Sequence, residues 1–121
     1  MTTPQRSTAS TIDGSYSLVT LVGRLGANLE ERVLPSGDEI TVFTVVVDRQ
    51  VRRGEPSSST RVDAIACQAS SPGIRRRLTG LGPGDWVRAE GVLRRRFWRS
   101  PGGLGSATDV HVVRLARHMR A

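Results

Sequence analysis

Between Leu93 and Arg99 the chain reads Leu-Arg-Arg-Arg-Phe-Trp-Arg, interleaving four guanidinium groups with two of the chain's five aromatic rings. Successive side chains of an extended strand point to opposite faces, which puts Arg94, Arg96 and Trp98 on one face and Leu93, Arg95 and Phe97 on the other. A ring beside cations can stack a base while the cations hold phosphates. That combination binds single-stranded nucleic acid without reading its sequence, because every base has a π-face and every nucleotide a phosphate. The same run also fits an edge strand kept soluble by arginine, with both rings buried.

Other residues capable of chemistry do not converge. His111 and His118 are the only histidines: one lies in an apolar run, the other near a basic terminus, and packing or surface roles suit both. Glu30-Glu31 and Asp38-Glu39 are adjacent carboxylate pairs on expected turns or loops, with no histidine nearby in sequence to complete a metal site. Gly102-Gly103 lacks the lysine and hydroxyl residue of a phosphate-binding loop and reads as a hairpin tip. Cys67, the only cysteine, sits in Ala64-Ile65-Ala66-Cys67, the setting of a small packed side chain. It excludes an intramolecular disulfide and a cysteine-based zinc site. Neither an enzyme nor a cofactor is expected.

The chain has 121 residues, enough for one domain with a modest core, and a formal charge of +7, which favours a polyanionic partner. All eighteen basic residues are arginine. Arginine is the better bidentate phosphate ligand and ring stacker, although a GC-rich codon bias gives the same composition. Residues 1–15 are rich in Thr and Ser without the apolar run of a signal peptide, and are expected to be a disordered leader before a domain spanning 16–118. With no apolar stretch near the roughly 20 residues of a membrane helix, a soluble cytoplasmic protein is expected.

The elements that must position these groups follow from periodicity and turn residues. A first strand is predicted over Tyr16 to Leu25, with Val19, Leu21 and Leu25 on one face; Gly23 and Gly26 suggest close backbone approach in a coiled strand. Leu34-Pro35-Ser36-Gly37-Asp38 has the composition of a turn. The second strand, about Glu39 to Arg49, is rich in β-branched residues and turns Phe43, Val45 and Val47 to one side. Gln50 to Thr60 is expected to be a long mobile loop whose Arg52 and Arg53 could sweep over a bound strand. A third strand follows over Arg61 to Gln68. Ser71 and Pro72 open a helix with Ile74, Leu78 and Leu81 on one face, Gly82-Pro83 stop it, and Arg75, Arg76 and Arg77 are expected to face solvent. Trp86 to Arg99 is a fourth strand bending at Gly91, Ser100 to Gly105 a Gly-rich loop, and Thr108 to Leu115 a fifth strand. This order fits an all-β, five-stranded OB-fold barrel with one short helix between strands three and four.

Leu21-Val22-Gly23-Arg24-Leu25-Gly26, Leu34-Pro35-Ser36-Gly37, and Phe43 in a β-rich run ending in Asp48-Arg49 resemble the bacterial single-stranded DNA-binding protein family. So does Gly84-Asp85-Trp86-Val87-Arg88-Ala89-Glu90-Gly91-Val92-Leu93-Arg94, with Trp98 falling where that family carries a base-stacking tryptophan. The resemblance covers about Tyr16 to Arg117. It implies an OB-fold, usually in a homotetramer, that binds single-stranded DNA with little sequence preference in replication, repair or recombination. Carried over by position, Trp98 would stack a base and Arg94 and Arg96 would reach phosphates or bases from the same face. Beyond the resemblance, Arg52, Arg53 and Arg61 near the loop are expected auxiliaries, and Arg49 and Arg24 are further candidate contacts. The family's further aromatic platforms fall here on Val51, Arg61 and Cys67, so phosphate contacts should supply more of the binding and salt should weaken it strongly. Members commonly end in an acidic tip that recruits replication and repair enzymes; with Arg117-His118-Met119-Arg120-Ala121 in that place, the recruiting function is expected to be absent. Two readings remain at this point. One is a single-stranded DNA-binding module, with RNA as a variant ligand; the other is a protein-assembly subunit on the same barrel.

Overall fold

The computed structural model describes residues 14–50, 53–54 and 61–119. Most of the expected leader and most of the expected mobile loop, with Arg52, lie outside these residues. Among these residues seven elements follow in order: β1 (Val19–Leu25), β2 (Glu30–Val33), β3 (Glu39–Asp48), β4 (Val62–Ala69), α1 (Pro72–Thr79), β5 (Trp86–Ser100) and β6 (Gly103–Arg117). The strands run β1-β5-β6-β4-β3-β2, and a further β1–β3 pairing closes five of them into a ring, the expected OB-fold barrel. Among the described residues, only β4 and β6 pair in parallel.

Phe43, Val45, Val87, Val110 and Val112 fill the barrel, and Leu78 of α1 plugs it beside Ile74. The alternation in β3 follows from its sequence, since Phe43 and Val45 point inward while Thr44 and Val46 are only partly covered. Two glycines let the coiled strands close. A Cβ on Gly23 would stand 2.2 Å from the Val46 carbonyl oxygen, and one on Gly91 would stand 2.0 Å from that of His111. At Glu90/Gly91 the β5–β6 register shifts by a bulge, the device that bends a strand where it leaves a barrel.

Several boundaries differ from expectation. β1 begins at Val19 rather than Tyr16. Glu30 and Glu31 belong to a strand, β2, and Glu39 opens β3. β2 has no apolar alternation and is exposed throughout, so periodicity could not reveal it. Its pairing with β3 is set by the Leu34–Asp38 turn, where Gly37 takes φ +93°, and by Arg75. Arg75 is not solvated: its guanidinium bridges Glu31 at 2.7 Å and Glu39 at 3.1 Å, and its Nε donates to Thr41 Oγ1 at 3.2 Å. The clamp ties the helix to the β2–β3 pair, while Arg76 and Arg77 are exposed. The helix starts at Pro72 with Ser71 in an extended conformation, but the Ser71 side chain makes no capping hydrogen bond; Gly80 ends it ahead of Gly82-Pro83. The expected loop over Ser100–Gly105 is strand except for Pro101 and Gly102, which shapes the site.

Candidate nucleic-acid interface

Beyond Leu93, β5 and β6 leave the barrel as a two-stranded arm. Every residue from Leu93 to Ser100 is exposed. In an antiparallel pair, residues opposite each other share a face. The register Arg94↔Asp109, Arg96↔Ala107 and Trp98↔Gly105 therefore puts Arg94, Arg96 and Trp98 together on one face of the arm. Trp98 is 47% exposed. Its indole lies on Gly105, where a Cβ would come within 2.6 Å of Cε2 and Nε1. The missing side chain lets the ring lie flat with one side on the backbone and the other toward solvent.

Beneath this face sits Asp109, only 8% exposed. Its Oδ2 forms an ion pair with the Arg96 guanidinium at 3.4 Å, and its Oδ1 has no hydrogen-bond partner among the described residues. A buried carboxylate needs a counter-charge, so Asp109 draws Arg96 down toward the strand and fixes where it starts from. Next along the face are Arg94 and His111. The His111 ring is held below its usual pKa, first by burial and then by Arg94, with Asp109 opposing; its Nε2 lies 3.5 Å from Ser70 Oγ. From Arg94 and His111 an open cleft of about 670 Å³ runs past Gln68 and Ser70 to the turn at Gly37 and Asp38.

The other expected site residues are divided. Because β4 and β6 run parallel at Cys67↔Val110, the exposed Arg61 at the start of β4 lies toward the same end as the hairpin tip. Arg53 is exposed in a turn with Gly54. Arg49 is paired with Asp63, and that contact lowers the Asp63 pKa. Arg24 is not brought to the hairpin face: it pairs with Asp48 at 3.0 Å and stacks over Trp86, 5.3 Å from the ring centroid. Trp86 begins β5, up to about 40 Å of extended chain from Trp98. Cys67, 1% exposed, is core; burial pushes its thiol up to about 12, and Asp109 adds to the shift. It is neither platform nor nucleophile. Sequence reasoning missed Asp109 and Gly105. The first shows as one acid heading an apolar run, whereas the second acquires meaning only once the register sets it opposite Trp98.

A closed ring of five strands with a helix plug and a projecting basic, aromatic hairpin defines an OB-fold binding module. Residues 17–118 match the model of the single-strand binding protein family, and the chain belongs to that family. A single-stranded DNA-binding protein of Thermotoga maritima is 31% identical over 104 residues, covering 86% of this chain and 74% of the relative. Among solved structures, the fold is similar to that of the Plasmodium falciparum SSB in its complex with ssDNA (TM-score 0.69, 18% identity, 88% of this chain and 96% of that one). It is also similar to the mitochondrial single-stranded DNA-binding protein Rim1 of S. cerevisiae (TM-score 0.65, 14% identity, 86% and 96%). No helix among the described residues is long and apolar enough to cross a membrane.

Proposed function

We propose that this chain binds and coats single-stranded DNA without marked sequence preference, in replication, repair or recombination, and that the Trp98 face of the hairpin holds the strand. Membership of the single-strand binding protein family supports the ligand class. The observation that carries the site is the register that sets a half-exposed indole, flattened on Gly105, in line with Arg96 and Arg94. A base stacks on the open side of Trp98, phosphates meet Arg96 and Arg94, and the strand continues into the cleft beside His111. Arg61 and Arg53 are auxiliaries at the same end; Arg24 and Arg49, engaged with carboxylates, contribute less. The role is binding rather than catalysis.

The working form is a homo-oligomer, a tetramer by resemblance to the family. Its support in this chain is the edge of β1: Val19–Val22 pair with β5 on one side and, among the described residues, with no strand on the other. Light scattering measures that state directly.

Titration with oligo(dT), oligo(rU) and duplex DNA at graded salt tests the function. Expected are preference for oligo(dT), quenching of tryptophan fluorescence, and affinity that falls steeply with salt. Equal or tighter binding of the duplex overturns the proposal, and preference for oligo(rU) moves the ligand to RNA.

A further inference from the structure

The hairpin has a second face. Leu93↔Val110, Arg95↔Thr108, Phe97↔Ser106 and Arg99↔Leu104 share it, opposite to Trp98. We propose that this face, built on Arg95, Phe97 and Arg99 with Leu104 beside them, is a second contact surface for single-stranded DNA, so that one arm engages the strand on both sides. The inference rests on the reading of the chain as a single-stranded DNA binder and adds to it a site on residues that reading does not use.

Phe97 and Trp98 are adjacent, so in a strand they must point oppositely, and each has an arginine two residues before it on its own side. The arm thus repeats one cation-and-ring device on its two faces, one residue out of phase. On the second face the device is more open. Phe97 is 61% exposed, Leu104 72%, and the Arg95 guanidinium lies 4.9 Å from the Phe97 centroid, which sets a cation over a ring able to stack a base. Arg96 is tied to Asp109, but among the described residues neither Arg95 nor Arg99 has a carboxylate partner.

Exposed apolar side chains on a projecting arm call for an occupant. Charge selects it: the hairpin residues on this face include two arginines, a serine and a threonine but no acid. A polyanion with stackable rings fits that pattern, and an apolar protein surface would have to bury two unpaired guanidinium groups.

The two faces stand back to back across a ribbon of two strands, so one stretch of DNA reaches both only by passing over the Pro101–Gly102 tip or round an edge. A short oligonucleotide fills one face and a long one fills both. The test measures oligo(dT) of increasing length against wild type, Phe97→Ala, Phe97→Trp and Arg95→Ala, with urea denaturation confirming that each variant is folded. Phe97→Ala should weaken binding of long oligo(dT) by about five- to a hundred-fold. It should leave the affinity of the shortest binding oligonucleotide, and the Trp98 quenching it causes, unchanged. Phe97→Trp should restore long-oligonucleotide affinity, and Arg95→Ala should lower the salt slope for long strands by about one. Wild-type affinity for every length in both alanine variants overturns the second face while leaving the first intact. Loss of oligomer mass in Phe97→Ala, with affinity per subunit unchanged, assigns the face to a second copy and equally overturns the proposal. Absence of oligo(dT) binding by the wild type is a different result, and it removes the parent reading.

Discussion

On the barrel, arginines meet carboxylates: Arg24 with Asp48, Arg49 with Asp63, Arg75 with Glu31 and Glu39, Arg88 with Glu90, and Arg117 with Asp85. On the hairpin arm, four arginines, Arg94, Arg95, Arg96 and Arg99, stand against one carboxylate, Asp109, which lies on the Arg94 and Arg96 face and is paired with Arg96. A chain whose cations are all arginine therefore divides them by partner rather than by type. The barrel's share is largely neutralised locally and helps to join elements, as Arg75 joins helix to sheet. The arm's share, four arginines against one carboxylate, leaves an excess of positive charge next to the exposed rings, where a polyanion can use it. Apolar residues divide the same way, into a sealed interior below Gly91 and open faces above Leu93.

The two regions should therefore fail differently. The largest effect should come from the barrel. Gly91→Val places a side chain against the backbone of His111 and Val112, where even a Cβ would meet atoms at 2.0, 2.7 and 2.9 Å. None of these atoms can swing away, so a loss of about 3 kcal/mol is expected in urea denaturation. Trp98→Ala should do the reverse, costing about 1–3 kcal/mol in oligo(dT) binding with a change in stability within about 0.5 kcal/mol. If Trp98→Ala unfolds the protein, the ring belongs to the core and the arm is not separate from the barrel. Arginine substitutions give a finer contrast. Arg94→Ala should reduce the slope of log affinity against log salt by about one. Arg24→Ala, which breaks an exposed ion pair, should leave that slope alone and lower stability only slightly in urea denaturation. Equal slopes in the two variants would erase the distinction between engaged and available cations.

The sequence exposed this division unevenly. The faces of β3 and of the helix were legible, because apolar residues recur there at the strand and helix periods and burial enforces the pattern. Arg94, Arg96 and Trp98 were legible on one face for the same reason of alternation. What sits beneath them was not. Gly105 looked like part of a loop, since glycine is the usual signal of a turn, whereas here it is a strand residue whose bare Cα receives an indole from the neighbouring strand. β2 was hidden because Glu30-Glu31-Arg32-Val33 carries no period of its own and depends on Arg75, about 44 residues further along the chain, for its hold. Arg24 was legible as a cation but not by its partner, because Asp48 on the neighbouring strand β3 and the Trp86 ring hold it away from the hairpin face.

The smallest expected effect lies at the seam between the two regions, at His111. Its ring faces Arg94 on β5, Asp109 on its own strand and Ser70 after β4, and burial together with Arg94 keeps its pKa below the ordinary value near 6.5. Above that value the ring is neutral in both folded and unfolded chains, so stability does not depend on its titration. As pH falls through 6.5 the unfolded chain binds the proton first, and stability declines until the lower folded pKa is reached. Thermal melts between pH 7.5 and 5 should therefore fall more steeply for the wild type than for His111→Gln. Bound DNA should reverse the sign locally, because a phosphate at Arg94 offsets the positive charge that disfavours imidazolium. Affinity for oligo(dT) should then gain from acidification through the same window, an increment lost in His111→Gln. Matching melts and matching affinities across that range in the two proteins would detach His111 from the arm and leave it a packing residue of the barrel.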